Sequence, residues 1–221
     1  SGLFYSGKEP RQVDGLYGQA LLYSGDPEGA KKFLLKALNK NPNDWEVKVN
    51  LADAYAYTEE FKQAIKLYEE ALKAKDSLEI KRKLADVLSW ARQYKRSVEL
   101  YDQILVTKED PKARLQKARI LGWAKQYANS LAEYQKILDI RYDEMVDLEM
   151  QAKRFYWDSR IKEAIDRYTV LIDKDPQNTE SMFDLSQVYS YQSMWKEADR
   201  EYGKILAVYP NHFRAKSDEK K

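Results

Sequence analysis

The sequence predicts an all-α solenoid of stacked helical hairpins, and three observations predict it. First, a stretch recurs. Leu88-Ser89-Trp90-Ala91-Arg92-Gln93-Tyr94 returns as Leu121-Gly122-Trp123-Ala124-Lys125-Gln126-Tyr127, 33 residues later. Looser copies begin at Tyr55 and Phe155. A period of this length is the signature of helical hairpins that bury their apolar faces against one another. Second, each copy repeats one order of small and large residues at i, i+3, i+4 spacing, which describes two amphipathic helices. Third, glycine (8) and proline (6) are scarce in 221 residues, which suits helices joined by short turns.

In chain order, the first helix of each copy carries a small residue followed three positions on by a large apolar one. These pairs are Gly18 and Leu21, Ala52 and Tyr55, Ala85 and Leu88, Ala118 and Leu121, Ala152 and Phe155, Ser186 and Tyr189. The second helix opens on another small residue: Ala30, Ala64, Ser97, Ser130, Ala164, Ala198. Four positions on stand Leu34, Tyr68, Tyr101, Tyr134, Tyr168 and Tyr202; three further stand Ala37, Ala71, Ile104, Ile137, Leu171 and Ile205. The small residues are needed where two helix axes approach closely. Pro42, Pro176 and Pro210 fall where a second helix must stop.

Composition narrows the function classes. Hydrophobic residues make up 43% and charged residues 33%, enough core for a thin array with a large solvated surface. Formal net charge is only +2, so a polyanion partner has no bulk field to attract it, and nucleic acid is not expected. No apolar run approaches a membrane span. With no cysteine and a single histidine, His212, an ordinary zinc site has no ligands, and no glycine-rich loop is present to cradle phosphate. Acidic pairs such as Glu59-Glu60 and Glu69-Glu70 are the solvated faces of amphipathic helices. No catalytic residue, metal or cofactor is therefore expected.

The order large apolar, small, aromatic on the first helix, then small, aromatic, small and proline on the second, resembles the tetratricopeptide repeat (TPR). Six copies are in register: 11–44, 45–77, 78–110, 111–144, 145–178 and 179–212. The resemblance implies a right-handed superhelix, with residues 1–10 a flank that includes a Ser1-Gly2 tag remnant. The charged stretch 213–221 reads as the start of a truncated further helix in a longer array. The usual turn glycine survives only as Gly25; elsewhere the position holds Glu59, Arg92, Lys125, Ser159 and Ser193. The terminal proline gives way to Asp76, Glu109 and Tyr142. These departures put the turn geometry in question.

The resemblance also implies a protein or peptide partner in a concave groove lined by the first helices. On that basis the groove residues are Tyr23, Asn50, Asp53, Tyr57, Arg82, Lys83, Asp86, Trp90, Gln116, Arg119, Trp123, Lys153, Trp157, Gln187 and Tyr191, with Gln19, Glu46, Val49 and Glu79 beside them. One position is aromatic in all six copies: Tyr23, Tyr57, Trp90, Trp123, Trp157 and Tyr191. Two readings stand for it. The rings wedge between neighbouring helices, or they form a ladder for peptide side chains or a sugar polymer. The bases Arg82, Lys83, Lys112 and Arg119 sit beside Trp90 and Trp123 and offer a seat for a carboxylate. The chaperone carboxylate clamp is not matched: its register gives Gly15, Gln19, Asn50, Glu79 and Lys83, where only the Asn and one base agree. Finally, the Leu88–Tyr94 stretch is similar to the periplasmic repeat arrays of bacterial exopolysaccharide exporters. That implies an envelope scaffold, with polysaccharide contact as the alternative to protein binding.

Overall fold

A computed structural model describes residues 10–208; the flank before Pro10, the tail, Pro210 and His212 lie outside the described residues. The described chain is helical throughout, in twelve helices: α1 (Pro10–Tyr23), α2 (Pro27–Lys40), α3 (Trp45–Tyr57), α4 (Phe61–Ala74), α5 (Leu78–Trp90), α6 (Tyr94–Thr107), α7 (Pro111–Trp123), α8 (Tyr127–Ile140), α9 (Glu144–Trp157), α10 (Ile161–Lys174), α11 (Thr179–Tyr191) and α12 (Trp195–Val208). Odd-numbered helices are the first helices of the repeats and even-numbered ones the second. The chain forms two compact units, Ser1–Ala113 and Arg114–Lys221. This is the all-α helical-repeat class that the periodicity predicts.

The small residues sit where they are needed. Ala30, Ala52, Ala64, Ala85, Ala118, Ala152 and Ala164 are fully buried at the helix crossings. Gly18 is the tightest: a Cβ there would lie 2.6 Å from Leu34 Cγ and 3.2 Å from the Leu34 backbone nitrogen. Where the small residue is serine, its hydroxyl crosses to the first helix. Ser97 Oγ donates to the Ala85 carbonyl and Ser130 Oγ to the Ala118 carbonyl, both at 2.6 Å. A buried hydroxyl is tolerated because it finds an acceptor.

Every hairpin turn has one geometry. The residue at the lost-glycine position is left-handed in each case: Glu59 (φ 63°), Arg92 (59°), Lys125 (61°), Ser159 (61°) and Ser193 (58°), alongside Gly25 (83°). The paired bonds of a Schellman cap recur. In the third repeat Gln93 N–H donates to Leu88 O (2.8 Å) and Arg92 N–H to Ser89 O (3.0 Å). The turn is thus retained without glycine, and five L-residues carry a backbone conformation that costs each about 1 kcal/mol. Between repeats the chain uses acidic and amide N-caps instead: Asp44 accepts from Glu46 and Val47 N–H, Asp143 from Met145 and Val146, Asn178 from Ser181.

The core of the first unit joins α1–α5 through Leu34, Val47, Leu51, Ile65, Tyr68, Leu84 and Leu88; that of the second joins α9–α12 through Leu148, Tyr168, Leu171, Leu185, Tyr189 and Ile205.

Candidate functional site

In the first unit, α1, α3 and α5 line a half-open cavity of about 460 Å³. Five of the sequence-predicted groove residues line it: Tyr23, Asn50, Asp53, Tyr57 and Lys83, with Gln19, Glu46, Val49 and Glu79. Leu22 and Trp45 line it too, and the groove positions chosen from sequence missed them. Trp45 is the first residue of α3 and shares the face of Val49 and Asp53, four and eight residues on.

The wall is uneven in polarity. Tyr23 is 84% exposed and Tyr57 62%. Asp53 accepts from the Tyr68 hydroxyl and from Lys83 Nζ, the latter at 2.6 Å. The Tyr68 phenol is pushed up by burial and by that carboxylate. Lys83 is therefore already neutralised, while among the described residues Glu46, Glu79 and the Asn50 amide have no side-chain partner. The other predicted residues of this unit stand apart from the cavity. Arg82 pairs with Asp110 at 2.7 Å, Asp86 accepts from the Tyr101 hydroxyl, and Trp90 leans on Phe61 with ring centroids 6.4 Å apart.

In the second unit several predicted residues are already engaged by neighbouring side chains. Arg119 grips Glu149 with two parallel bonds, Nε–Oε1 2.7 Å and Nη2–Oε2 2.6 Å. The Tyr134 hydroxyl donates to the same carboxylate at 2.6 Å. Lys153 is ion-paired with Asp184. Glu149 and Lys153 are buried, at 3% and 4% exposure. Burial would raise the Glu149 carboxyl, but the Arg119 charge, its hydrogen bonds, Lys153 and Tyr134 outweigh that and hold it at about 2. Burial would lower the Lys153 ammonium, yet Asp184 and Glu149 keep it above the usual lysine range. Gln187 donates to the Tyr202 hydroxyl. Gln116 and Trp123 are half-buried, and Trp157 stacks on Tyr127 at 4.6 Å and 21° while its ring edge covers Gly122. The one base in this unit that sequence offered as a seat for a carboxylate, Arg119, already holds Glu149, and Lys153 likewise holds Asp184.

The six-fold aromatic position divides by what precedes it. Trp90 and Trp157 follow second helices that start with an aromatic residue, Phe61 and Tyr127, and pack on it. Tyr57 and Tyr191 follow helices that start with Pro27 and Ile161, and remain 62% and 73% exposed. The wedge reading describes Trp90 and Trp157, whereas Tyr57 leaves its ring open and Tyr191 meets only the edge of Tyr156, at 6.2 Å.

Residues 21–76 match the sequence profile of the tetratricopeptide repeat. The described chain has the fold of a tetratricopeptide-repeat (TPR) array. Three solved structures resemble it over nearly their whole length: PilF of Pseudomonas aeruginosa (17% identity, 95% of this chain and 96% of that one, TM-score 0.59), a tetratricopeptide repeat protein of Parabacteroides merdae (15%, 95% and 87%, 0.65), and PilW, a type IV pilus biogenesis factor (14%, 96% and 99%, 0.63). At such identities they share the fold. A search of curated proteins found no match. Proteins of the TPR class are in general non-catalytic scaffolds that bind protein or peptide partners. In TPR register, Gln19, Asn50, Glu79 and Lys83 meet in the first-unit cavity, with an acid where the chaperone clamp has a base. No described helix is long and apolar enough to cross a membrane.

Proposed function

We propose that the chain is a non-catalytic TPR scaffold whose first-unit cavity receives a segment of a protein partner. One observation carries this reading. The cavity brings together two exposed phenol rings and an unpartnered amide, Tyr23, Tyr57 and Asn50, whereas Arg119 and Lys153 of the second unit are already paired with Glu149 and Asp184. Exposed tyrosines present large rigid surfaces at low entropic cost, and such side chains dominate recognition energetics. Asn50 offers both a donor and an acceptor to a peptide backbone.

Polysaccharide contact is the weaker alternative. A sugar ladder needs the faces of Trp90, Trp123 and Trp157, and Trp157 already gives one face to Tyr127 while Trp90 leans on Phe61. An envelope setting rests on the resemblance of the Leu88–Tyr94 stretch alone.

Photo-crosslinking in the native cell tests the partner site. A benzoylphenylalanine at position 50 should give protein adducts that the same group at Lys66, exposed on α4, does not. Adducts of equal yield from both positions, or none from position 50, contradict the assignment.

A further inference from the structure

The first-unit cavity has a definite charge sense. Its ionisable lining comprises Glu46, Asp53, Glu79 and Lys83 besides the two tyrosines. Lys83 and Asp53 cancel at 2.6 Å, and the second lone-pair partner of Asp53 is the Tyr68 hydroxyl. What is left to face a ligand is the pair of carboxylates Glu46 and Glu79, both exposed and unpaired among the described residues. Each stands in the first turn of its helix, α3 and α5. Tyr23 and Tyr57 add two electron-rich ring faces in the same cavity, at 84% and 62% exposure. Carboxylates beside open phenol faces attract a cation twice over, by charge and by the ring quadrupole. The apolar lining from Leu22, Val49 and Trp45 suits the aliphatic stem that carries such a cation.

We propose that the occupant of this cavity is an extended peptide segment that inserts a lysine or arginine side chain between Tyr23 and Tyr57, with Glu46 and Glu79 as its counter-charges. The inference rests on the reading of this cavity as a partner site and adds the sign of the partner. A segment ending in a carboxylate is disfavoured, since it would meet two uncompensated acids and a lysine already held by Asp53.

The test is a selection of random peptides displayed on phage, run in parallel on the purified chain and on its Tyr23→Ala/Tyr57→Ala variant. Peptides retained by the native chain and lost by the variant should carry lysine and arginine in excess of aspartate and glutamate. A synthetic copy of the most enriched one should lose about tenfold or more in affinity on Glu46→Gln/Glu79→Gln, and weaken as salt rises. Cavity-dependent peptides without a basic excess, or with affinity indifferent to the two glutamates, overturn the charge assignment and leave the partner site standing. No cavity-dependent peptide at all overturns both. Chitosan oligomers, run as a separate arm, overturn the peptide class if they bind through Glu46 and Glu79 while no peptide does.

Discussion

Arg119 on α7 and Glu149 on α9 are joined by two parallel hydrogen bonds, 2.7 and 2.6 Å long, thirty residues apart in sequence. Only 12% and 4% of their side chains are exposed. Tyr134 caps the carboxylate, and Lys153 continues the chain to Asp184. Breaking such a pair on one side leaves a buried charge uncompensated, at a cost of about 3–5 kcal/mol, whereas replacing both partners with apolar residues is often neutral. Arg119→Met and Glu149→Leu should therefore each lower the urea midpoint strongly, and the double variant should recover most of the loss. Additive single effects would contradict a mutually dependent pair.

The same pair sets a pH response. Glu149 sits at about 2 when folded, against 4.5 for the free group, so the unfolded chain takes up its proton first on acidification. Its contribution is complete above pH 5 and is lost as pH falls towards 2, with a total on the order of 3 kcal/mol. Asp184 opposes this, because burial pushes its carboxyl up despite Lys153. Unfolding free energies at pH 7, 5 and 3 should show the native chain losing stability relative to the Arg119→Met/Glu149→Leu variant. A constant difference across that range would contradict the assignment.

The left-handed turn residues give a stabilising route. Glu59, Arg92 and Lys125 hold φ near 60°, and none is among the buried residues. Glycine at each should add roughly 1 kcal/mol, less the entropy that glycine gives the unfolded chain. The reverse change, Gly25→Ala at φ 83°, should destabilise. Thermal unfolding of the four variants reads both signs.

The tryptophan packing is measurable by a double-mutant cycle. Tyr127 and Trp157 lie nearly parallel at 4.6 Å, a geometry worth about 0.5–1.5 kcal/mol beyond buried area. Coupling of that size between Tyr127→Ala and Trp157→Ala is expected, whereas Tyr191→Ala, at 73% exposure, should leave stability nearly unchanged.

Much of the fold was legible because small residues at crossings and large ones beside them are imposed by packing distance, and six copies repeat the constraint. The turn conformation was not legible at Glu59 or Arg92: the signal for a left-handed residue is glycine, and here the Schellman hydrogen bonds hold the backbone without it. In the candidate site, Tyr23, Asn50 and Tyr57 were found by repeat position, while Trp45 was missed because it stands at the first position of its repeat, outside the positions taken as groove-facing. The largest omission was the ion-pair ladder. Arg119, Lys153 and Asp53 were read one at a time as surfaces for a ligand, yet each has an opposite charge 30 or 31 residues on: Glu149, Asp184 and Lys83. Opposite charges spaced by about one repeat carried that signal.

The central claim is that a partner enters the first-unit cavity. The direct measurement is titration of the cavity-selected peptide against the native chain and a Tyr23→Ala/Asn50→Ala/Tyr57→Ala variant, with thermal unfolding of both. The two phenol rings are mostly exposed and the Asn50 amide is unpaired among the described residues, so the variant should keep its Tm and lose about tenfold or more in affinity. Unchanged affinity at unchanged Tm would contradict the account.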